Sequence, residues 1–269
     1  MKFNKIVSFG DSWTAGEGFN YEMERPLERD NFTEEEWEQV PKDCFGGHKT
    51  LFDARSNHSY TKYLADLYNV PFEVYGASGG SNETIMNNFF RFRGGIDDKT
   101  LVIFMWSSKF RDRLLFLPSL YSEDTRWLVW SKDLLKNEAN RFWKDVPNEW
   151  EKKWREYFYV KLFDEKMYDT YTAMYKCSLQ HFCEYHKIPY IMCNAFESAE
   201  PYEHINKEFY YKYDSTLYDD LKDIPGDIWE SELKGTPAPT KYLNGLHPNA
   251  EGYKLIANIL KKFVDDKFI

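Results

Sequence analysis

Two residues far apart in the chain have the types and settings needed for nucleophilic chemistry. Ser12 lies in Phe9-Gly10-Asp11-Ser12, directly after the short apolar run Lys5 to Phe9. A serine in the turn between a strand and a helix has backbone N–H groups pointing toward it. Its hydroxyl is a weak nucleophile until a base takes the proton, so a histidine must come within hydrogen-bond reach. Of the six histidines, His181 and His186 fall on a predicted helix, and His48, His58 and His204 fall in irregular stretches. His247 sits in the turn-rich Leu243-Asn244-Gly245-Leu246-His247-Pro248-Asn249, and Pro248 holds it in extended backbone. The plainer alternative is that Ser12 is a helix cap and His247 a loop residue.

These residues need a scaffold that brings both to one end of a sheet. Lys5 to Phe9, Leu101 to Trp106 and Pro189 to Cys193 are short, largely apolar runs that read as buried parallel strands, and Phe72 to Val74, after Pro71, reads as a further strand. Between them lie helical patterns. Ser59 to Tyr68 opens on a capping-type Ser and places Tyr63, Leu64 and Leu67 on one face. Ser81 to Phe92 offers Ile85, Phe89 and Phe92 at helical spacing, and a further helix ends near Lys187. Asn249 to Phe263 carries Tyr253, Ile256, Ala257 and Leu260 in a stripe after a possible Asn cap. Alternating strands and helices predict an α/β protein, a three-layer α/β/α sandwich around a central parallel sheet. The reading is of a single domain over 1–269, with insertions at about 19–57, 109–148 and 196–243. Two of the insertions follow strand ends, where such folds build ligand sites.

At this point the chain resembles the SGNH/GDSL hydrolase family, whose fold is of this flavodoxin-like kind. SFGDSWTAGEG is similar to its first block, and Asn244-Gly245-Leu246-His247-Pro248 to its last, which has the form Asp-x-x-His-Pro. The resemblance implies a serine esterase with Ser12 as nucleophile and His247 as base. It further implies an oxyanion hole made by the N–H of Ser12 and that of a second-block glycine. Gly79 in Gly76-Ala77-Ser78-Gly79-Gly80 matches that position, with Gly80 as the neighbouring alternative. The third block of the family carries an Asn donor, but here the strand leads into Trp106-Ser107-Ser108-Lys109. Ser107, Ser108 or Asn82 is left to supply that hydrogen, with Ser107 the first choice.

Asn244 stands where the family has the Asp that orients the histidine. An amide accepts a bond without carrying charge, and the equivalent change in a Ser-His-Asp protease lowers turnover about ten-thousand-fold. Three accounts stay open: a Ser12–His247 dyad with Asn244 as neutral orienter, a site weakened or prone to deamidation at Asn244-Gly245, and a fold that has lost catalysis. Asp11, Trp13, Trp106 and Arg111 flank the predicted site and are expected at the substrate, although Arg111 with Asp112 also reads as a surface ion pair.

Composition sets the remaining bounds. The net charge of −9 and the lack of a long Lys/Arg run argue against nucleic acid as a partner. The alternating charges around Lys152-Lys153-Trp154-Arg155 read as a solvated helix face. No run of about 18 apolar residues occurs, so no membrane span is expected, and the N-terminal apolar stretch reads as a strand rather than a signal peptide. Cys44, Cys177, Cys183 and Cys193 form no CxxC pair. No metal or organic cofactor is implied, and a reducing, cytoplasmic setting is expected. Aromatic residues make up 19% of the chain, more than one core needs. Trp127, Trp130, Trp143, Trp150 and Trp154 suit either stacking on sugar rings or packing together, so the substrate expected first is a small-molecule or glycan ester such as an O-acetylated carbohydrate. A lysophospholipase or thioesterase is the enzyme alternative, and a non-catalytic binding or structural protein the other.

Overall fold

A computed structural model describes residues 3–16, 55–77, 80–108, 112–115, 127–130, 165–196, 202–222, 243–244 and 247–269. Five strands form one parallel sheet: β1 (Lys5–Gly10), β2 (Phe72–Gly76), β3 (Thr100–Trp106), β6 (Tyr190–Asn194) and β7 (Tyr210–Tyr211). Their order is β2-β1-β3-β6-β7. A two-stranded antiparallel ladder, β4 (Asp112–Leu115) with β5 (Trp127–Trp130), follows β3.

Side chains alternate between the two faces of the sheet, as the strand period requires. Ile6, Leu101, Ile103, Met105, Ile191 and Cys193 pack on one face with Leu64 of α2 (Tyr60–Tyr68) and with Tyr253, Ile256 and Leu260 of α6 (Ala250–Phe268). Val7, Phe9, Val102, Phe104, Trp106 and Met192 pack on the other. Their partners are Ile85 and Phe89 of α3 (Asn82–Phe92) and Leu179 and Cys183 of α4 (Glu165–Tyr185). The three-layer α/β arrangement therefore matches the expectation. Among the described residues no helix is long and apolar enough to cross a membrane.

The helices begin where side-chain acceptors stand ready. Ser59, Ser81 and Asn249 cap α2, α3 and α6 by accepting from the N–H of Lys62, Thr84 and Gly252. Two expectations need correction. Leu67 is 46% exposed, and the buried stripe of α2 is Tyr60, Thr61, Leu64 and Ala65, one position out of phase with the predicted face. The third insertion is not wholly outside the sheet, because Tyr210–Tyr211 adds its fifth strand beside β6 and is followed by α5 (Leu217–Lys222).

The chain goes from β1 outward to β2 and then crosses back to β3 on the other side of β1. The carboxyl ends of β1 and β3 thus form the point where strand order reverses, which opens a crevice. Ser12 lies two residues beyond the first of these strands, and Ser107 directly follows the second.

Candidate active site

Ser12 opens a single helical turn, α1 (Ser12–Ala15), laid across the ends of β1 and β2. Asp11 caps it, accepting the Trp13 N–H at Oδ1 (3.0 Å). Close approach is possible because Gly76 ends β2: a Cβ there would stand 2.2 Å from the Ala15 nitrogen. Beneath α1, Thr14 Oγ1 meets the fully buried Tyr60 hydroxyl at 3.1 Å, and Ser8 Oγ meets Thr61 Oγ1 at 2.6 Å. These bonds seat α1 on β1 and α2. Burial, lightened by the neighbouring hydroxyls, pushes the Tyr60 phenol well above its ordinary range, so it stays neutral and serves as a hydrogen-bonding strut.

The histidine that meets Ser12 comes from the other end of the chain. The short strands β8 (Leu243–Asn244) and β9 (His247–Pro248) pair antiparallel, with Asn244 opposite His247 in the backbone register. Asn249 then starts α6, whose buried stripe is clamped between the sheet and α2. The residue just ahead of that helix is held at the sheet end, and His247 Nε2 lies 3.0 Å from Ser12 Oγ. With the ring proton on Nδ1, Nε2 accepts the serine hydroxyl hydrogen, which is the arrangement a general base requires. Other histidines are engaged elsewhere. His58 bonds the Tyr63 hydroxyl, His186 packs on the Phe182 ring and His204 lies beside Glu203.

Ala77 and Gly80 lie against this site. The Gly80 N–H donates to Ala77 O at 2.8 Å, and a Cβ on Gly80 would come 3.5 Å from the Asp11 Cα. That bond occupies the Gly80 amide, which removes Gly80 as the alternative oxyanion donor. Gly79, Arg111 and His48 lie outside the described residues, as do the basic segment 152–155 and Trp143, Trp150 and Trp154.

Ser107 and Asn82 do come to the site, but their polar groups face one another and Asp11. Ser107 Oγ donates to Asp11 Oδ2 (2.8 Å), and its N–H donates to Asn82 Oδ1 (2.9 Å). Asn82 Nδ2 reaches Thr172 Oγ1 of α4 (3.4 Å). Ser108, next to Ser107, is half-buried. Trp13 and Trp106, expected on a substrate wall, are both 0% exposed. Trp13 packs edge-on against Phe196, and Trp106 stacks near Phe104. Both support the site from within the core, a correction that follows from their size and from the depth of the strand ends. Asp11 is likewise fully buried, and its carboxylate is turned to protein donors.

Helix α4, for which the sequence suggests no chemistry, brings a lysine into the protein behind Trp106. Lys176 is 2% exposed. Its Nζ donates to the Tyr210 hydroxyl (2.8 Å) and to Asn194 Oδ1 (3.3 Å), and lies 5.5 Å from the Trp106 ring centre. The Tyr210 hydroxyl also donates to Asn194 Oδ1. Burial lowers the Lys176 ammonium to about 7, with the Cys193 and Asp169 groups opposing that shift. The signal was present in the spacing: Thr172, Lys176, Leu179 and Cys183 share one buried helical stripe. Among the described residues no group of three or more His, Cys, Asp or Glu is arranged to hold a metal ion.

A parallel α/β sheet with a serine–histidine pair at its reversal point defines a class of hydrolase-like proteins. Within it, the chain belongs to the GDSL-like Lipase/Acylhydrolase family, whose profile matches residues 6–260. Solved structures to which it is similar include a protein of the G-D-S-L family from Desulfitobacterium hafniense DCB-2. Identity there is 14%, with 97% of this chain and 99% of that one covered and a TM-score of 0.41. A G-D-S-L family lipolytic protein from Veillonella parvula DSM 2008 is 12% identical, with 98% and 97% covered and a TM-score of 0.33. A carbohydrate esterase described as having divergent catalytic and non-catalytic binding functions is 12% identical, with 98% and 65% covered and a TM-score of 0.47. No curated protein gives a significant sequence match.

Proposed function

We propose that the chain is a serine ester hydrolase in which Ser12 is the nucleophile and His247 the general base. The observation that carries this is the 3.0 Å contact between His247 Nε2 and Ser12 Oγ, made by residues 235 positions apart. In the reaction, the Ser12 hydroxyl proton passes to Nε2 while Oγ bonds to the ester carbonyl carbon. The carbonyl oxygen becomes an oxyanion, met by the N–H of Ser12 and, in the family pattern, that of Gly79. Collapse of the intermediate expels the alcohol, which takes the proton from His247. A water then gives its proton to His247 and attacks the acyl group, releasing the acid and restoring Ser12.

Asn244 acts in this reading as a neutral orienter, supported by its place opposite His247 in the β8–β9 ladder. The favoured substrate is a small-molecule or glycan ester, a short O-acyl group on a carbohydrate. Support comes from the ladder that carries Trp127 and Trp130, which follows the carboxyl end of β3. The free thiols Cys177, Cys183 and Cys193 favour a reducing, cytoplasmic location.

Hydrolysis of p-nitrophenyl acetate by wild type and Ser12→Ala tests the reading. Wild type should turn over and Ser12→Ala should fall to the uncatalysed background. Equal rates for the two would refute the assignment and favour a binding protein on this fold.

A further inference from the structure

Four elements meet behind the nucleophile through one buried chain of hydrogen bonds. Asp11, in the turn before Ser12, accepts from Trp13 N–H and from the Ser107 hydroxyl. Ser107, at the end of β3, donates its own N–H to Asn82 at the start of α3, and Asn82 reaches Thr172 on α4. Asp11, Ser107, Asn82 and Thr172 are all buried. A hydroxyl has a single hydrogen, and that of Ser107 is directed at Asp11; it cannot stabilise an oxyanion at the same time.

We propose that Ser107 is a positioning residue, which grips Asp11 from the end of β3 and so holds the turn that aims Ser12 at His247. The inference rests on the reading of Ser12 as nucleophile. Its physical basis is that a buried carboxylate is stable only with its donors in place, so Asp11 is fixed wherever those donors are fixed. One of them is the Trp13 N–H of α1 itself, and another is the hydroxyl of Ser107, the residue that follows β3. Asp11 therefore transmits the position of the rigid central strand to the next residue, Ser12. Asn82 completes the device by setting the backbone of Ser107, and Thr172 extends it to α4. Ser107 thereby leaves the set of oxyanion donors.

The test is a double-mutant cycle on the full chain, read by p-nitrophenyl acetate kinetics and thermal melting. Ser107→Ala should lower kcat about ten- to a hundredfold, the scale of a small misplacement of reacting groups, with KM changed less than about two-fold. Asp11→Asn can still cap α1 through its amide oxygen but presents a different partner to Ser107. Because both changes break the same bond, the double variant should be no slower than Asp11→Asn alone. An unchanged kcat in Ser107→Ala, or a double variant whose loss is the product of the single losses, overturns the inference. Product-like losses would instead make Ser107 an independent contributor such as an oxyanion donor. If Ser107→Ala does not fold, Ser107→Cys replaces it in the cycle, filling similar volume with a weaker donor. A wild type with no Ser12-dependent turnover refutes the esterase reading and this inference together, whereas additivity in an active enzyme refutes the inference alone.

Discussion

Raising the pH from about 7 to about 9 should stabilise this protein, and Lys176→Met should remove the effect. Lys176 is buried against Trp106, Tyr210 and Asn194, and its ammonium lies at about 7 in the fold against an ordinary 10.5. Between those values the unfolded chain holds a proton that the folded chain has released, so stability rises with pH across the window. At pH 7 the buried lysine costs about 4 kcal/mol relative to the unfolded chain, and about 2 kcal/mol of that is relieved by pH 9. Above this range the trend reverses. Burial pushes the Cys183 and Cys193 thiols and the Tyr60 and Tyr210 phenols upward, and the unfolded chain ionises these groups first. Lys176→Met keeps an unbranched apolar stem in the site, and Asn194 still accepts from Tyr210. Urea unfolding of both proteins at pH 7, 8 and 9 should show the wild-type free energy gaining about 2 kcal/mol on the variant. Parallel pH profiles for the two proteins would refute the argument.

Other outcomes follow from the site. Asn244→Asp should preserve or raise ester hydrolysis, since a carboxylate stabilises an imidazolium better than an amide does; a fall to background in a kcat measurement would count against Asn244 as orienter. Gly76→Ala should destabilise the fold by about 1–3 kcal/mol in urea titration, because its Cβ would stand 2.2 Å from the Ala15 nitrogen and lift α1. Tyr60→Phe removes the hydroxyl that meets Thr14 and should cost about 1–3 kcal/mol by the same measurement, with a smaller effect on KM than on kcat.

Much of the scaffold was legible because it rests on local rules. Short apolar runs became the buried strands β1, β3 and β6, and the polar residues Ser59, Ser81 and Asn249 became caps. The pairing of Ser12 with His247 was legible only through motif resemblance, since no periodicity links positions so far apart. The two-residue strand Tyr210–Tyr211 was hidden, because it is shorter than any alternation pattern and is defined by its partner β6. Leu67 was placed on the wrong face of its helix because Tyr60, at the first position, sets the buried stripe. Types of residue were readable where directions were not. Ser107 and Asn82 are legible as polar residues beside a strand end and a helix start, but only the structure shows the hydroxyl turned to Asp11 and the amide to Ser107 and Thr172. Trp13 and Trp106 illustrate the same limit: a place beside Ser12 for the one and at the end of β3 for the other says nothing about which side of the sheet end they fill.

The central claim is that His247 activates Ser12, and the most direct measurement of it is the rate at which a fluorophosphonate labels the chain, with the modified residue located by mass spectrometry. Wild type should be labelled at Ser12, and His247→Ala should react at least about a thousandfold more slowly. Labelling at another residue, or equal rates in the two proteins, would contradict the account.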